Sequence, residues 1–133
     1  MVIQGTFDVQ VTPEPPTSEV DGVSIARVGL VKEYHGPLSA KAVGEMIGAR
    51  TPIDGSAGYV AIERVTGTLE GRRGTFVLQH SGVMTRGGKQ LTVLVVPDSG
   101  TGELRELRGQ LQIDIVDGKH LYTLDYELPP LQG

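Results

Sequence analysis

The chain has no cysteine and no tryptophan among its 133 residues. The first absence excludes disulfides, thiolate metal ligands and a cysteine nucleophile. The second, with aromatics at only 5%, leaves the core to Val, Leu and Ile. No apolar run approaches the ~18 residues that a membrane-spanning helix needs, so no membrane partner is expected. Met1-Val-Ile-Gln-Gly-Thr-Phe-Asp8 has neither the basic nor the apolar region of a secretory signal, which fits a cytoplasmic protein. Positive charge is in deficit. Twelve Lys and Arg against 16 Asp and Glu give a formal charge of −4, so no basic stripe faces nucleic-acid phosphates. His35, His80 and His120 are far apart, without His-x-His or His-Glu-x-x-His spacing. No metal and no cofactor is expected from them.

Turn-forming residues are abundant: 19 glycines and eight prolines in a short chain. They argue for many turns and short strands in one domain over residues 1–133. Gly5 to Val11 alternates as a first strand, with Phe7, Val9 and Val11 on one face. Thr12 to Gly22 holds three prolines and reads as a surface loop. Ser24 to His35 is a long second strand. Ala26, Val28, Leu30 and Tyr34 share one face; Ile25, Arg27, Val31, Glu33 and His35 share the other. Ser39 to Arg50 has some helical spacing, but Gly44 and Gly48 each cost a helix about 1 kcal/mol relative to Ala, and a strand is preferred. Thr51 to Gly58 is a loop. Tyr59 to Gly67, Thr75 to Gly82 and Leu91 to Val96 are strands; the last is apolar on both faces, which predicts cover on the outer wall, as from a second subunit. Ser99-Gly-Thr-Gly102 lacks the Lys and the following helix of a phosphate loop and reads as a tight turn.

The last hairpin, Leu111 to Val116 and His120 to Leu128, can be registered. Asp117-Gly118 is a strong type I′ signal. A two-residue loop pairs Val116 with Lys119, Ile115 with His120, Ile113 with Tyr122 and Leu111 with Leu124, which gathers the apolar residues on one face. For the hairpin through Glu63 and Gly82, an even loop centred on Gly71-Arg72 pairs Glu63 with His80, Val65 with Leu78 and Gly67 with Phe76. Tyr59, Ala61, Glu63, Val65, Phe76, Leu78 and His80 then line one face. An odd loop breaks the Glu63–His80 pair. About eight antiparallel strands in so small a domain favour closure, because a closed barrel has no edge strands. The expected fold is an all-β, eight-stranded antiparallel closed barrel.

Gly5-Thr-Phe-Asp-Val9, Glu63-Arg-Val-Thr-Gly67, Gly74-Thr-Phe-Val-Leu-Gln-His-Ser-Gly82, Val96-Pro-Asp-Ser-Gly-Thr-Gly-Glu-Leu104 with Leu107-Arg-Gly109, and Tyr122-Thr-Leu-Asp-Tyr-Glu-Leu128 resemble a bacterial family, domain of unknown function 3224. The resemblance covers essentially the whole chain. It implies a barrel of the allene oxide cyclase or lipocalin kind and a homo-oligomer, and it implies no settled activity. Members often carry Trp near Thr92, where this chain has none. Allene oxide cyclases and dirigent-like barrels steer cyclisation or coupling of small apolar substrates, an analogy at the level of fold.

A carboxylate and an imidazole on a mostly apolar barrel face suit a lumen that binds an apolar or mixed small molecule. Burial raises a lone Glu pKa, and a neighbouring imidazolium lowers it. Glu63 as acid or base with His80 as partner could catalyse a proton-transfer isomerisation or cyclisation. The same pair could instead be a structural pin that fixes register, the reading favoured for such a pair, in a non-catalytic or purely structural barrel. Tyr59, Arg27, Glu45, Phe76, Leu78 and Tyr126 are the candidate substrate contacts, with Arg27 either holding a substrate anion or neutralising Glu63. Ser81 adjoins His80 on a strand, so the two point to opposite faces and are no nucleophile–base pair.

Overall fold

A computed structural model of the chain describes residues 1–131. They form nine strands and one 3-10 turn: β1 (Val2–Pro13), β2 (Ser18–Val20), β3 (Val23–His35), β4 (Leu38–Arg50), β5 (Ala57–Leu69), β6 (Arg72–Thr85), β7 (Gly88–Val95), the turn Gly102–Leu104, β8 (Arg108–Val116) and β9 (Lys119–Glu127). Every pairing is antiparallel between neighbours, from β3 round to β9. β1 closes the sheet. Its first half, Val2 to Phe7, pairs with β9, and its second half, Thr6 to Pro13, pairs with β3. Eight strands therefore make the barrel, and β2 is a short exposed addition to the edge of β3. The proline-rich stretch is thus less of a loop than its composition predicts. Pro13 ends β1, and Asp21-Gly22 turns β2 into β3.

The strand preferred over a helix for residues 39–50 is β4, whose 13 residues pair with β5 along their whole length. Inward positions alternate along each strand and form one core: Phe7, Tyr34, Leu38, Val65, Leu69, Phe76, Leu78, Val93, Leu111, Tyr122 and Leu124 among them. The β8–β9 register is the one that Asp117-Gly118 predicts, with both turn residues at positive φ, 50° and 77°.

The β5–β6 register differs from expectation by two residues. The turn is Glu70-Gly71, at φ 46° and 83°, not Gly71-Arg72. Leu69 therefore pairs with Arg72, Val65 with Phe76, Glu63 with Leu78 and Ala61 with His80. Two positive φ values define a type I′ turn, whose twist matches the flanking strands. Glu is an unfavoured residue there, but its position is held from outside the hairpin. Its amide donates to Pro37 O at 2.8 Å, and its carboxylate accepts from the Tyr126 hydroxyl. A slip of two keeps parity, so the same side chains still face inward.

The two ends of the barrel differ. At one end Leu104 and Leu107, from the segment between β7 and β8, are 1% exposed and plug the core beside Leu38 and Leu69. The Tyr122 hydroxyl donates to His35 O (2.9 Å) and accepts from Leu38 N (3.1 Å), tying β9 across the turn between β3 and β4. At the other end the strands rise into an open mouth. The seam between β7 and β8 is the narrowest pairing, with one bridge, Leu94 to Gln110. Gln90, Thr92 and Leu94, which point outward from β7, are exposed among the described residues.

Candidate functional site

Glu63 sits at the middle of β5, inward-facing and 1% exposed. Its partner on β4 is Gly44, where a Cβ would lie 2.8 Å from the Cβ of Glu63 and 2.3 Å from Ile62 O. The bare glycine lets the strands close around the carboxylate. Three donors converge on it. Lys32 Nζ lies 2.8 Å from Oε2, His80 Nε2 lies 3.0 Å from the same oxygen, and the Tyr34 hydroxyl donates to Oε1. An ionised carboxylate only accepts, so His80 carries its hydrogen on Nε2. Lys32 and His80 are 7% and 3% exposed; with Glu63 they are the buried polar or charged side chains among the described residues. The Lys32 ammonium also lies 5.1 Å from the centroid of the Phe7 ring and 5.9 Å from that of Tyr34, a favourable place for a cation.

Burial alone pushes the Glu63 carboxyl up. The hydrogen bond from His80, the charge and hydrogen bond of Lys32 and the hydrogen bond from Tyr34 outweigh it and bring the carboxyl down to about 2. Burial, and then the charge and hydrogen bond of Glu63, raise the Tyr34 hydroxyl well above its usual value. Tyr34 thus stays a donor and Glu63 a fixed anion. Of the two directions open to a buried Glu beside His, this site takes the downward one, and Glu63 is not poised to donate a proton near neutrality.

The expected face does come together, with Glu63 and His80 as diagonal neighbours rather than opposite ones. Such i, j±2 pairs lie within reach of long side chains. Phe76 and Leu78 are buried in the core beside them. Tyr126 is inward too, but at the plugged end, bonded to Glu70. Arg27 and Glu45 are on the outer wall, 3.5 Å apart and half or more exposed, so neither lines the interior nor neutralises Glu63. That neutralising cation is Lys32, which the sequence reading missed along with the role of Tyr34. A signal was present: Lys32 falls on the inward parity of Ala26, Val28, Leu30 and Tyr34, where a charge needs a partner.

Above this cluster the mouth holds a cavity of about 510 Å³. Its walls include Val11, Ala26, Val28, Met46, Ala57, Tyr59 and Met84, with Glu14 and Arg50 at the rim. Tyr59 pairs with Gly82, and His80 is the next inward residue of β6 below it. The order from mouth to plug is therefore an apolar cavity, Tyr59, the charged cluster, then the aliphatic core.

A family model described as "Protein of unknown function (DUF3224)" matches residues 3–126. The chain is also similar to a crystal structure of a protein of unknown function from that family, from Shewanella oneidensis MR-1. The two are 47% identical over 98% of each chain, with a TM-score of 0.94. No curated protein matches the chain.

The cluster makes a prediction for stability. The folded Glu63 value lies below the unfolded one, so its contribution is full above pH 4.5 and drains as pH falls towards about 2. Glu63→Gln leaves Lys32 buried without its anion, which should cost about 3–5 kcal/mol. Urea unfolding across pH 2–7 should show that loss at neutral pH and a flatter acid limb. An unchanged acid limb would contradict the assignment.

Proposed function

The chain belongs to the DUF3224 family, and we propose that it is a small-molecule-binding barrel whose open-end cavity takes the apolar body of a ligand. One observation carries the reading: an apolar cavity of about 510 Å³ opens at the mouth, with the buried Leu30 and Ala61 between it and a fully partnered carboxylate cluster. That volume lies within the range of ligand pockets. The charged cluster braces the walls beneath, so the cavity keeps its shape without a ligand. The neutral fluorophore N-phenyl-1-naphthylamine should bind at one saturable site. Val28→Trp, which fills the cavity from its wall, should weaken that binding at least tenfold while far-UV circular dichroism stays unchanged. Absence of binding, or binding indifferent to the plug, would remove the reading.

A second reading adds proton transfer, as in an isomerisation or cyclisation of the kind carried out by allene oxide cyclase-like barrels. The carboxylate–imidazole contact supports it, since a carboxylate that orients an imidazole is a recurrent acid–base arrangement. In this reading His80 carries the proton and Glu63 orients it. Against enones, epoxides and polyenes, His80→Gln, which leaves the Lys32–Glu63 pair in place, should lose turnover and keep fluorophore binding. Equal turnover removes His80 from the mechanism.

Self-association into a homo-oligomer is supported by the outer wall. Val31, Val43, Ile47, Val60 and Ile62 are all exposed on the neighbouring strands β3, β4 and β5, and exposed apolar side chains grouped on one wall are a mark of interaction surfaces. Sedimentation equilibrium should give a multiple of 14.2 kDa, reduced to the monomer mass by Val60→Lys with Ile62→Lys. A monomer at all concentrations would refute it.

A further inference from the structure

Tyr59 lines the cavity and also feels the charge of Glu63. Its ring lies flat on β6 because its partner there is glycine. A Cβ at Gly82 would come within 2.4 Å of Tyr59 Cε1 and 3.1 Å of Cζ. The ring is thus seated by backbone, and Tyr59 forms part of the cavity wall. The other three tyrosines each donate a hydrogen bond within the chain. Tyr59 makes none among the described residues, and no sealed side-chain polar atom is left unpaired. Its hydroxyl is therefore open to solvent and not sealed, on a residue that lines the apolar cavity.

Charge around that donor narrows what it can hold. The Lys32 ammonium is committed to Glu63 at 2.8 Å. Burial and then the Glu63 charge raise the Tyr59 hydroxyl above its usual value. The burial, and after it the Glu63 charge, that disfavour a phenolate also disfavour another anion beside it. Arg50 and Glu14, both on the rim, bring opposite charges. Burying a carboxylate without a paired cation is strongly unfavourable, whereas an uncharged carbonyl needs only the one donor.

From the binding reading above, we infer that the ligand is an uncharged, largely apolar compound bearing a hydrogen-bond acceptor such as a ketone or ester carbonyl, received by the Tyr59 hydroxyl, and that the cavity rejects the corresponding carboxylate. Tyr59 is the specificity-determining residue. An acceptor matched to a fixed donor separates ligands better than an added methylene does.

Three compounds of near-equal shape test this by displacement of N-phenyl-1-naphthylamine at pH 7: 2-acetylnaphthalene, 2-naphthoate and 2-isopropenylnaphthalene. The ketone should bind most tightly and the carboxylate at least tenfold more weakly. Tyr59→Phe should weaken the ketone by about fivefold and leave the isopropenyl compound unchanged. Equal binding of ketone and carboxylate would overturn the inference. So would a Tyr59→Phe effect common to all three, or a carboxylate whose binding is tight and lost in Arg50→Gln, which places the anion at the rim. Each of these leaves the binding reading standing. Failure of the fluorophore and all three compounds to bind defeats that reading itself.

Discussion

A carboxylate inside a small barrel is the constraint on which the rest of this structure turns. Removing an ion from water costs several kcal/mol even after relaxation. Glu63 on β5 offsets this with Lys32 and Tyr34 from β3 and His80 from β6. Lys32 and Tyr34 reach it across β4, where Gly44 leaves room, and His80 reaches it from the adjoining β6. Four neighbouring strands are thereby locked in relative position. A slip of one residue in β3, β5 or β6 would turn its donor or acceptor to the outer wall, and a slip in β4 would move Gly44 from beside the carboxylate. The hydrophobic alternation demands the same parity, so the charged cluster and the aliphatic core select one register together.

The two ends of the barrel follow from what lies on either side of that cluster. Towards the plug the inward positions are large, with Leu38, Leu69, Tyr122 and Leu124 closed over by Leu104 and Leu107. Towards the mouth they shrink to Ala26, Gly48, Ala57 and Gly82, with Met46 and Met84 at the sides. Small side chains on long strands leave space, and flexible methionines adapt to what enters it. A rigid charged cluster below an apolar mouth is the arrangement on which the proposed binding function draws. Tyr59, seated on Gly82, stands at the boundary.

The legible parts of the sequence were those where turn chemistry and side-chain period agreed. Asp117-Gly118 admits one register, and β8–β9 has it. Glu70-Gly71 and Gly71-Arg72 are both plausible two-residue turns of the same parity, so the inward face of β5–β6 was readable and the direct opposition of Glu63 and His80 was not. The preference for Glu70-Gly71 comes from Pro37 and Tyr126, which are remote in sequence. Lys32 was hidden by its charge, since an inward lysine interrupts the apolar alternation that marks a buried face. Arg27 and Glu45 looked like interior candidates only while the faces of β3 and β4 were unassigned. The single-bridge seam between β7 and β8 leaves no mark in strand propensity.

The account rests on Glu63 being an anion held by three donors, and its titration reports that state directly. With 13C-labelled glutamate, the Glu63 side-chain carboxyl resonance should stay constant from pH 7 through 4.5 and move only as pH approaches about 2. A midpoint at or above 4.5 would mean that burial prevails over Lys32, His80 and Tyr34, and would contradict the fixed anion on which the barrel's register and its cavity floor depend.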